Sequence, residues 1–330
     1  GIQAEAGALM DVDSGTMIFG QNSHVEYPPA SITKLLTALI VLEHAELSDT
    51  VTYSETAMNS VEADSGNKYS LAIGDTMTVE DCLYALLLSS VNQSANALAE
   101  HVAGSEAAFV QMMNERAQEL GMNDTHFVNC CGLDTEGHVT SAYDIALMSR
   151  ELITRYPQIH NYSTIWMENI THTTSKGSSE FGLTNTNKLI RQYEYATGLK
   201  TGSTGKAKFC VSATAEKNGV SLIAVIMGAE DSKARFKDAV TLLNYGFGKC
   251  QMYTDENMPS LDPISVTGGI QESISLEYEK KFTYLDTTGA NLNAVTSRLQ
   301  IPDKVNAPVK KGDTVGQRIY YLDEKEIGSV

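Results

Sequence analysis

The sequence predicts an α+β fold in two parts: a large domain built on an antiparallel sheet with helices on its faces, followed by a small β-rich C-terminal domain. Three observations carry that expectation. Strand-like runs stand near the N-terminus and again from Leu199 onward, with helical periodicity between them. The helical patterns stop around Glu256-Asn257-Met258-Pro259, and short strand-like runs among Gly, Pro and Asp turns follow. The chain has 330 residues, more than one ordinary core accommodates. The boundary is expected between residues 1–254 and 255–330.

Each element has its own signal. Ala6–Asp11 and residues 16–20 read as strands joined by Asp13-Ser14-Gly15, a hairpin. After Tyr27-Pro28-Pro29-Ala30, residues 31–43 carry Leu35, Leu36, Leu39, Ile40 and Leu42 at helical spacing, so a buried helix is expected to begin at Ser31. Residues 79–88, 94–102, 105–120 and 141–153 are further helices, several opening on a Ser or Thr able to cap them. Residues 209–216 and 220–227 are β-rich runs separated by Lys217-Asn218-Gly219, and residues 233–245 return to a helix. Strands at both ends imply one antiparallel sheet closed by the two termini of the large domain. Beyond the boundary, residues 273–278 and 314–322 read as strands. Nothing repeats and no segment is low-complexity.

Composition narrows the function. A hydrophobic content of 42% with 7 prolines fits a globular chain. A net charge of −17 argues against nucleic acid as a partner and against docking of the bare protein to anionic lipid, and is read as a solubility feature. Five cysteines, Cys82, Cys130, Cys131, Cys210 and Cys250, form no C-x-x-C and are odd in number, so a disulfide framework or zinc ribbon is not expected. The adjacent pair Cys130 and Cys131 reads as small buried residues, since a bridge between neighbours strains disulfide geometry. No basic-then-apolar leader opens the chain, and no run of 18 or more apolar residues occurs. Gly1-Ile2-Gln3 looks like a trimmed start, so an export signal and any terminal anchor are expected to have been removed.

Three short motifs carry chemistry. Ser31-Ile32-Thr33-Lys34 sets a hydroxyl and an amine one helical turn apart on one face. A neutral lysine can activate a serine if burial and nearby cations lower its pKa. Moving it from about 10.4 to near 7 requires disfavouring the ammonium by about 4.6 kcal/mol. Ser90-Val91-Asn92 brings a hydroxyl and a carboxamide together at a turn between helices. Lys200-Thr201-Gly202-Ser203-Thr204 opens the β-rich segment, where Gly202 lets a substrate backbone approach a strand edge and Lys200 adds positive charge. Taken singly, each has a bland reading: a helix cap with a surface lysine, a polar turn, an edge strand with a solvated lysine.

Together, in this order, S-x-x-K, S-x-N and K-T-G resemble the motif set of penicillin-binding proteins and class A β-lactamases. The chain resembles, in particular, the low-molecular-mass penicillin-binding proteins that act as D-alanyl-D-alanine carboxypeptidases. Met10-Asp11-Val12-Asp13-Ser14-Gly15, Pro28-Pro29-Ala30, His126-Phe127-Val128-Asn129 with Gly132-Leu133-Asp134, and Asn185-Thr186-Asn187-Lys188-Leu189 extend the likeness over most of residues 6–250. The resemblance implies a β-lactamase/transpeptidase-like domain ahead of the β-rich one. It implies acylation of Ser31 by a peptidoglycan stem peptide ending in D-Ala-D-Ala, with Lys34 taking the proton. Ser90 would relay a proton to the leaving D-alanine, and Asn92 would hold Lys34 and the substrate amide. Lys200 would raise the local potential, Thr201 and Thr204 would fix the terminal carboxylate, and the N–H groups of Ser31 and Ser203 would form the oxyanion hole. It further implies covalent inhibition by β-lactam antibiotics, no metal or organic cofactor, export from a bacterium, and a C-terminal anchor at the outer face of the cytoplasmic membrane.

Two departures stand out. Val91 replaces the Gly or Asp of many relatives, and Asn185-Thr186-Asn187 lacks an arginine that helps bind the carboxylate in some members. The crowding of His126, Cys130, Cys131, Asp134 and His138 matches neither a zinc knuckle nor H-E-x-x-H. The N-x-S/T triplets at Asn92, Asn123, Asn161 and Asn169 read as chance. A β-lactamase would need a water-activating Glu-x-x-Leu-Asn element, approached only by Glu180-Phe181-Gly182-Leu183-Thr184. A penicillin-binding sensor or scaffold without turnover would keep all three motifs.

Overall fold

The computed structural model describes residues 1–60 and 71–330. These form two compact units, residues 1–217 with 221–246 and residues 218–220 with 247–330. Up to Lys249 the elements are β1 (Ala6–Asp11), β2 (Met17–Gln21), α1 (Lys34–His44), β3 (Thr50–Thr52), α2 (Glu55–Asn59), β4 (Thr76–Thr78), α3 (Val79–Leu88), α4 (Asn92–Ala103), α5 (Glu106–Glu119), α6 (Ala142–Arg155), α7 (His160–Ser163), β5 (Met167–Thr174), β6 (Gly177–Thr184), α8 (Leu189–Gln192), β7 (Ala196–Thr204), β8 (Lys208–Lys217), β9 (Val220–Ala229) and α9 (Ser232–Lys249).

The main sheet is antiparallel with the order β2-β1-β9-β8-β7, so the N-terminal hairpin lies beside strands from the far end of the unit. Ala6 faces Met227 and Asp11 faces Leu222 in the β1–β9 pairing. This is the closure by both termini that the sequence predicts. The hairpin turn is held by Asp11, whose carboxylate accepts from Ser14 N–H at 2.9 Å and whose carbonyl accepts from Gly15 N–H at 2.9 Å. Strand β7 ends the sheet, so among the described residues one of its edges has no strand neighbour.

The helices follow the pattern of their apolar residues. α1 is buried from Lys34 through Val41, as its run of leucines requires. Thr78, Ser105 and Ser141 cap α3, α5 and α6, each accepting from the backbone N–H three residues on. Two features differ from the sequence expectation. The segment from Ser31 does not enter an α-helix at once: Ala30–Thr33 is a 3-10 turn, and α1 starts at Lys34. Neither hydroxyl in that turn caps the helix, because Ser31 faces Lys34 and Thr33 faces His138. The middle of the chain also contains a second sheet, β3-β4-β5-β6. β5 and β6 are mostly exposed, with Ile170, His172 and Leu183 as their buried positions, so their periodicity is hidden under polar residues.

The second unit is built on β10 (Gln251–Thr254), β11 (Ile264–Thr267), β12 (Ser273–Ile274), β13 (Thr283–Asp286), β14 (Thr296–Gln300), β15 (Lys304–Asn306), β16 (Gln317–Leu322) and β17 (Lys325–Ser329). They make three small sheets, β10-β13, β12-β11-β15 and β14-β16-β17. Phe282 and Tyr320 stack with ring centroids 3.9 Å apart, and the Tyr320 hydroxyl donates to Asp255 at 2.5 Å. The β-rich character read from the sequence is what folds here. All five cysteines are buried, and none forms a disulfide among the described residues.

Candidate active site

Ser31 and Lys34 meet because the 3-10 turn brings residue i+3 directly behind residue i. Lys34 Nζ lies 2.8 Å from Ser31 Oγ, 2.8 Å from Asn92 Oδ1 and 2.7 Å from the Cys131 carbonyl oxygen. The amine is fully buried, and burial lowers its pKa from the usual lysine range to about 8.

Ser90 and Asn92 arrive from the turn between α3 and α4. Ser90 has a positive φ of 56°, and its buried Oγ has no hydrogen-bond partner among the described residues. Val91 is buried, as an apolar replacement at that position should be, and Asn92 opens α4. An unpartnered buried hydroxyl is costly, and it is the kind of group a bound ligand or water satisfies.

The edge strand β7 supplies the opposite wall. Lys200 is 1% exposed and donates to the Thr201 carbonyl at 2.8 Å. Burial, with Lys34 and Arg235 nearby, holds its pKa well below the ordinary value. The Thr201 hydroxyl lies 2.6 Å from that of Thr186. Gly202 lies against the nucleophile's own backbone: a Cβ there would stand 2.8 Å from Ser31 N and 3.1 Å from Ile32 N. Only a residue without a side chain allows this approach. Ser203 is exposed at the end of the strand. The Thr204 hydroxyl donates to Asp134 Oδ1 at 2.7 Å and accepts from Ala207 N–H at 2.9 Å, so its one proton is directed away from any carboxylate at Thr201.

Sequence reasoning missed one group and gave a second no part in this site. Arg235, in the first turn of α9, reaches behind β7 to the Gly202 carbonyl at 3.3 Å and the Cys210 carbonyl at 3.4 Å. It is buried between Phe209 and Phe236, and burial lowers its pKa to about 10. A signal existed: Arg235 shares the buried stripe of Phe236, Ala239, Leu242 and Leu243, an unusual place for a cation. His138 is the second. Its Nδ1 accepts from Val128 N–H at 2.9 Å, so the neutral ring carries its proton on Nε2 and donates it to Thr33 Oγ1 at 2.9 Å. Burial lowers its pKa to about 4.

Three of the five residues crowded into the stretch 126–138 have other side-chain partners. His138 supports the nucleophile turn, Asp134 accepts from Thr204, and Cys130 Sγ donates to Asn96 at 3.1 Å. The carbonyls of Cys130 and Cys131 accept from Thr37 and Lys34, which explains why this segment lies against α1. Glu180, the nearest approach to a β-lactamase general base, sits exposed on β6 opposite Thr171.

A serine on a buried amine, an orphaned hydroxyl and a cation-backed strand edge can together carry out acyl transfer. Comparisons with known proteins agree with this chemistry. Residues 1–231 match the D-alanyl-D-alanine carboxypeptidase family, and residues 251–330 match the C-terminal domain of penicillin-binding protein 5. The chain is 33% identical to the D-alanyl-D-alanine carboxypeptidase DacF of Bacillus subtilis over 327 residues, covering 97% of this chain and 82% of that protein. It is similar to the crystal structure of penicillin binding protein 5 from Haemophilus influenzae, at 26% identity and a TM-score of 0.74, covering 100% of this chain and 96% of the other. The DD-transpeptidase of Streptomyces K15 matches 75% of this chain and 98% of its own length, at 26% identity and a TM-score of 0.69.

Proposed function

We propose, from the premise that the chain belongs to the D-alanyl-D-alanine carboxypeptidase family of serine peptidases, that Ser31 is its nucleophile and Lys34 the base that activates it. The enzyme is a serine-type carboxypeptidase that acts on peptidoglycan peptides. The observation that carries the residue assignment is the contact of 2.8 Å between Lys34 Nζ and Ser31 Oγ inside a buried site. With a pKa of about 8, roughly a tenth of Lys34 is neutral at pH 7, enough to serve as a base.

In this reading the Ser31 proton moves to Lys34 as Oγ attacks the carbonyl carbon of the penultimate D-alanine. The N–H groups of Ser31 and Ser203 hold the resulting oxyanion, each such donor being worth about 3 kcal/mol. Ser90, with its unpartnered Oγ, passes its proton to the amine of the leaving D-alanine as the C–N bond breaks and takes a proton in turn from Lys34, which returns to the neutral amine. Asn92 keeps Lys34 in place and holds the substrate amide. Lys200, backed by Arg235, raises the potential for the terminal carboxylate, which Thr201 fixes, while Gly202 admits the peptide to the strand edge. Thr204 supports this wall through Asp134. Water then cleaves the ester on Ser31 and releases the shortened peptide. β-Lactams acylate the same serine. We place the reaction outside the cytoplasmic membrane, where peptidoglycan is assembled.

Intact-mass spectrometry after incubation with benzylpenicillin, together with D-alanine release from diacetyl-Lys-D-Ala-D-Ala, tests the assignment. The expected result is one adduct and released D-alanine for the wild type, with both lost in Ser31→Ala. An adduct that persists in Ser31→Ala overturns the nucleophile, and an adduct without D-alanine release overturns the carboxypeptidase step.

A further inference from the structure

Residues 128–138 touch both walls of the cleft. On one side the carbonyls of Cys130 and Cys131 accept from Thr37 and Lys34, and His138 donates to Thr33. On the other, Asp134 reaches the end of β7: Oδ1 accepts from the Thr204 hydroxyl at 2.7 Å, and Oδ2 from Lys206 N–H at 3.3 Å. The segment between these grips is stiffened by Asn129, whose Oδ1 accepts from Gly132 N–H at 2.7 Å and whose amide donates to the Leu133 carbonyl and the Thr135 hydroxyl, both at 3.0 Å.

Strand β7 needs an external hold at this end. It is the edge of its sheet, its one strand neighbour among the described residues is β8, and its last residues run into the exposed Gly205-Lys206 turn. Ser203, whose N–H is assigned to the oxyanion, is one residue from Thr204. A sub-ångström shift there moves the donor off the oxygen it must meet. The Thr204 hydroxyl joins both sides, accepting from Ala207 N–H and giving its proton to a carboxylate, a short charge-assisted bond.

We infer that Asp134 is a positioning residue which, by latching Thr204, fixes the catalytic end of β7 at the distance from Ser31 that acylation requires. The inference rests on the proposed role of Ser31 and deepens it. Because the latch acts on the position of a transition-state donor and not on the substrate's ground-state contacts, its loss lowers kcat and leaves KM largely unchanged.

The test measures D-alanine release and the rate constant of benzylpenicillin acylation in Asp134→Ala, Asp134→Asn, Thr204→Val and the double variant Asp134→Ala with Thr204→Val. Asp134→Ala and Thr204→Val are each expected to lower kcat and the acylation constant about tenfold, with KM within about twofold. Asp134→Asn keeps an acceptor for Thr204, so it stays close to wild type. The double variant is expected to be no slower than the slower single one, since both remove one interaction. Wild-type rates in Asp134→Ala, additive losses in the double variant, a change confined to KM, or an equal loss in Asp134→Asn would each overturn the latch. Adduct mass separates this from the underlying reading: a wild type without an adduct on Ser31 removes the nucleophile assignment itself, whereas an adduct formed at wild-type rate in Asp134→Ala removes the latch alone.

Discussion

Lys34 has three contacts, and its protonation decides what each can be. Asn92 Oδ1 and the Cys131 carbonyl are acceptors only, so both require an N–H from the amine. A neutral amine has two N–H groups and one lone pair, which leaves the lone pair for the only partner able to donate, the Ser31 hydroxyl. The arrangement therefore aims the proton transfer as well as permitting it. Burial disfavours the ammonium and lowers its pKa, so the reactive neutral form gains population as pH rises through about 8. The acylation rate constant with benzylpenicillin is expected to climb along an ascending limb centred near that pH, measured by stopped-flow at constant ionic strength. A flat profile between pH 6 and 9 would remove Lys34 as the base. At this scale the sequence was legible where side-chain type and spacing carry the role, as in Ser31 with Lys34. It was silent on the Cys131 carbonyl, which any residue type would supply, and on the pairing of Thr204 with Asp134, which lie 70 residues apart.

Among the elements, the capped amphipathic helices were readable because each combines an apolar stripe with a Ser or Thr at its start, as α6 does at Ser141. The sheet of β3 to β6 was not, because β5 alternates polar residues with only two buried ones, Ile170 and His172. Nor was the 3-10 turn under Ser31, whose geometry is set by a distant segment. Gly132 has a φ of +100°, and a Cβ there would lie 1.9 Å from the Ala30 carbonyl oxygen and 2.9 Å from Ser31 N. All the atoms it meets are backbone, so nothing flexible can give way. Gly132→Ala is expected to destabilise the protein by about 3 kcal/mol or more and to slow acylation at least about tenfold. Gly137→Ala is the control: it has a φ of +83° with nothing within 4 Å, so it should cost only the left-handed strain of about 1 kcal/mol and leave the rate unchanged. Urea unfolding and adduct kinetics measure the two effects. Equal effects in both variants would show that the backbone contact at Ala30 does not shape the turn.

For the whole molecule, the acidity and the division of labour lead to different expectations. The charge of −17 bears on solubility and on partners, and it leaves the fold undetermined. The fold class was legible because strands at the two ends of the first unit bracket its helices, an order that an antiparallel sheet closed by both termini satisfies. Every residue assigned to chemistry, from Ser31 to Arg235, belongs to that first unit, and the second has its own small sheets and aromatic core around Phe282 and Tyr320. A unit with its own core is able to fold alone, and a site built within it carries its chemistry with it. A protein of residues 1–249, ending with α9, is therefore expected to be acylated by benzylpenicillin at a rate within about threefold of the full chain. The comparison is made by adduct mass against time on samples shown by circular dichroism to be folded. A folded truncated protein acylated more than about tenfold slower would mean that the β-rich unit takes part in shaping the cleft, and its role would then be catalytic support in addition to whatever it contacts outside the enzyme.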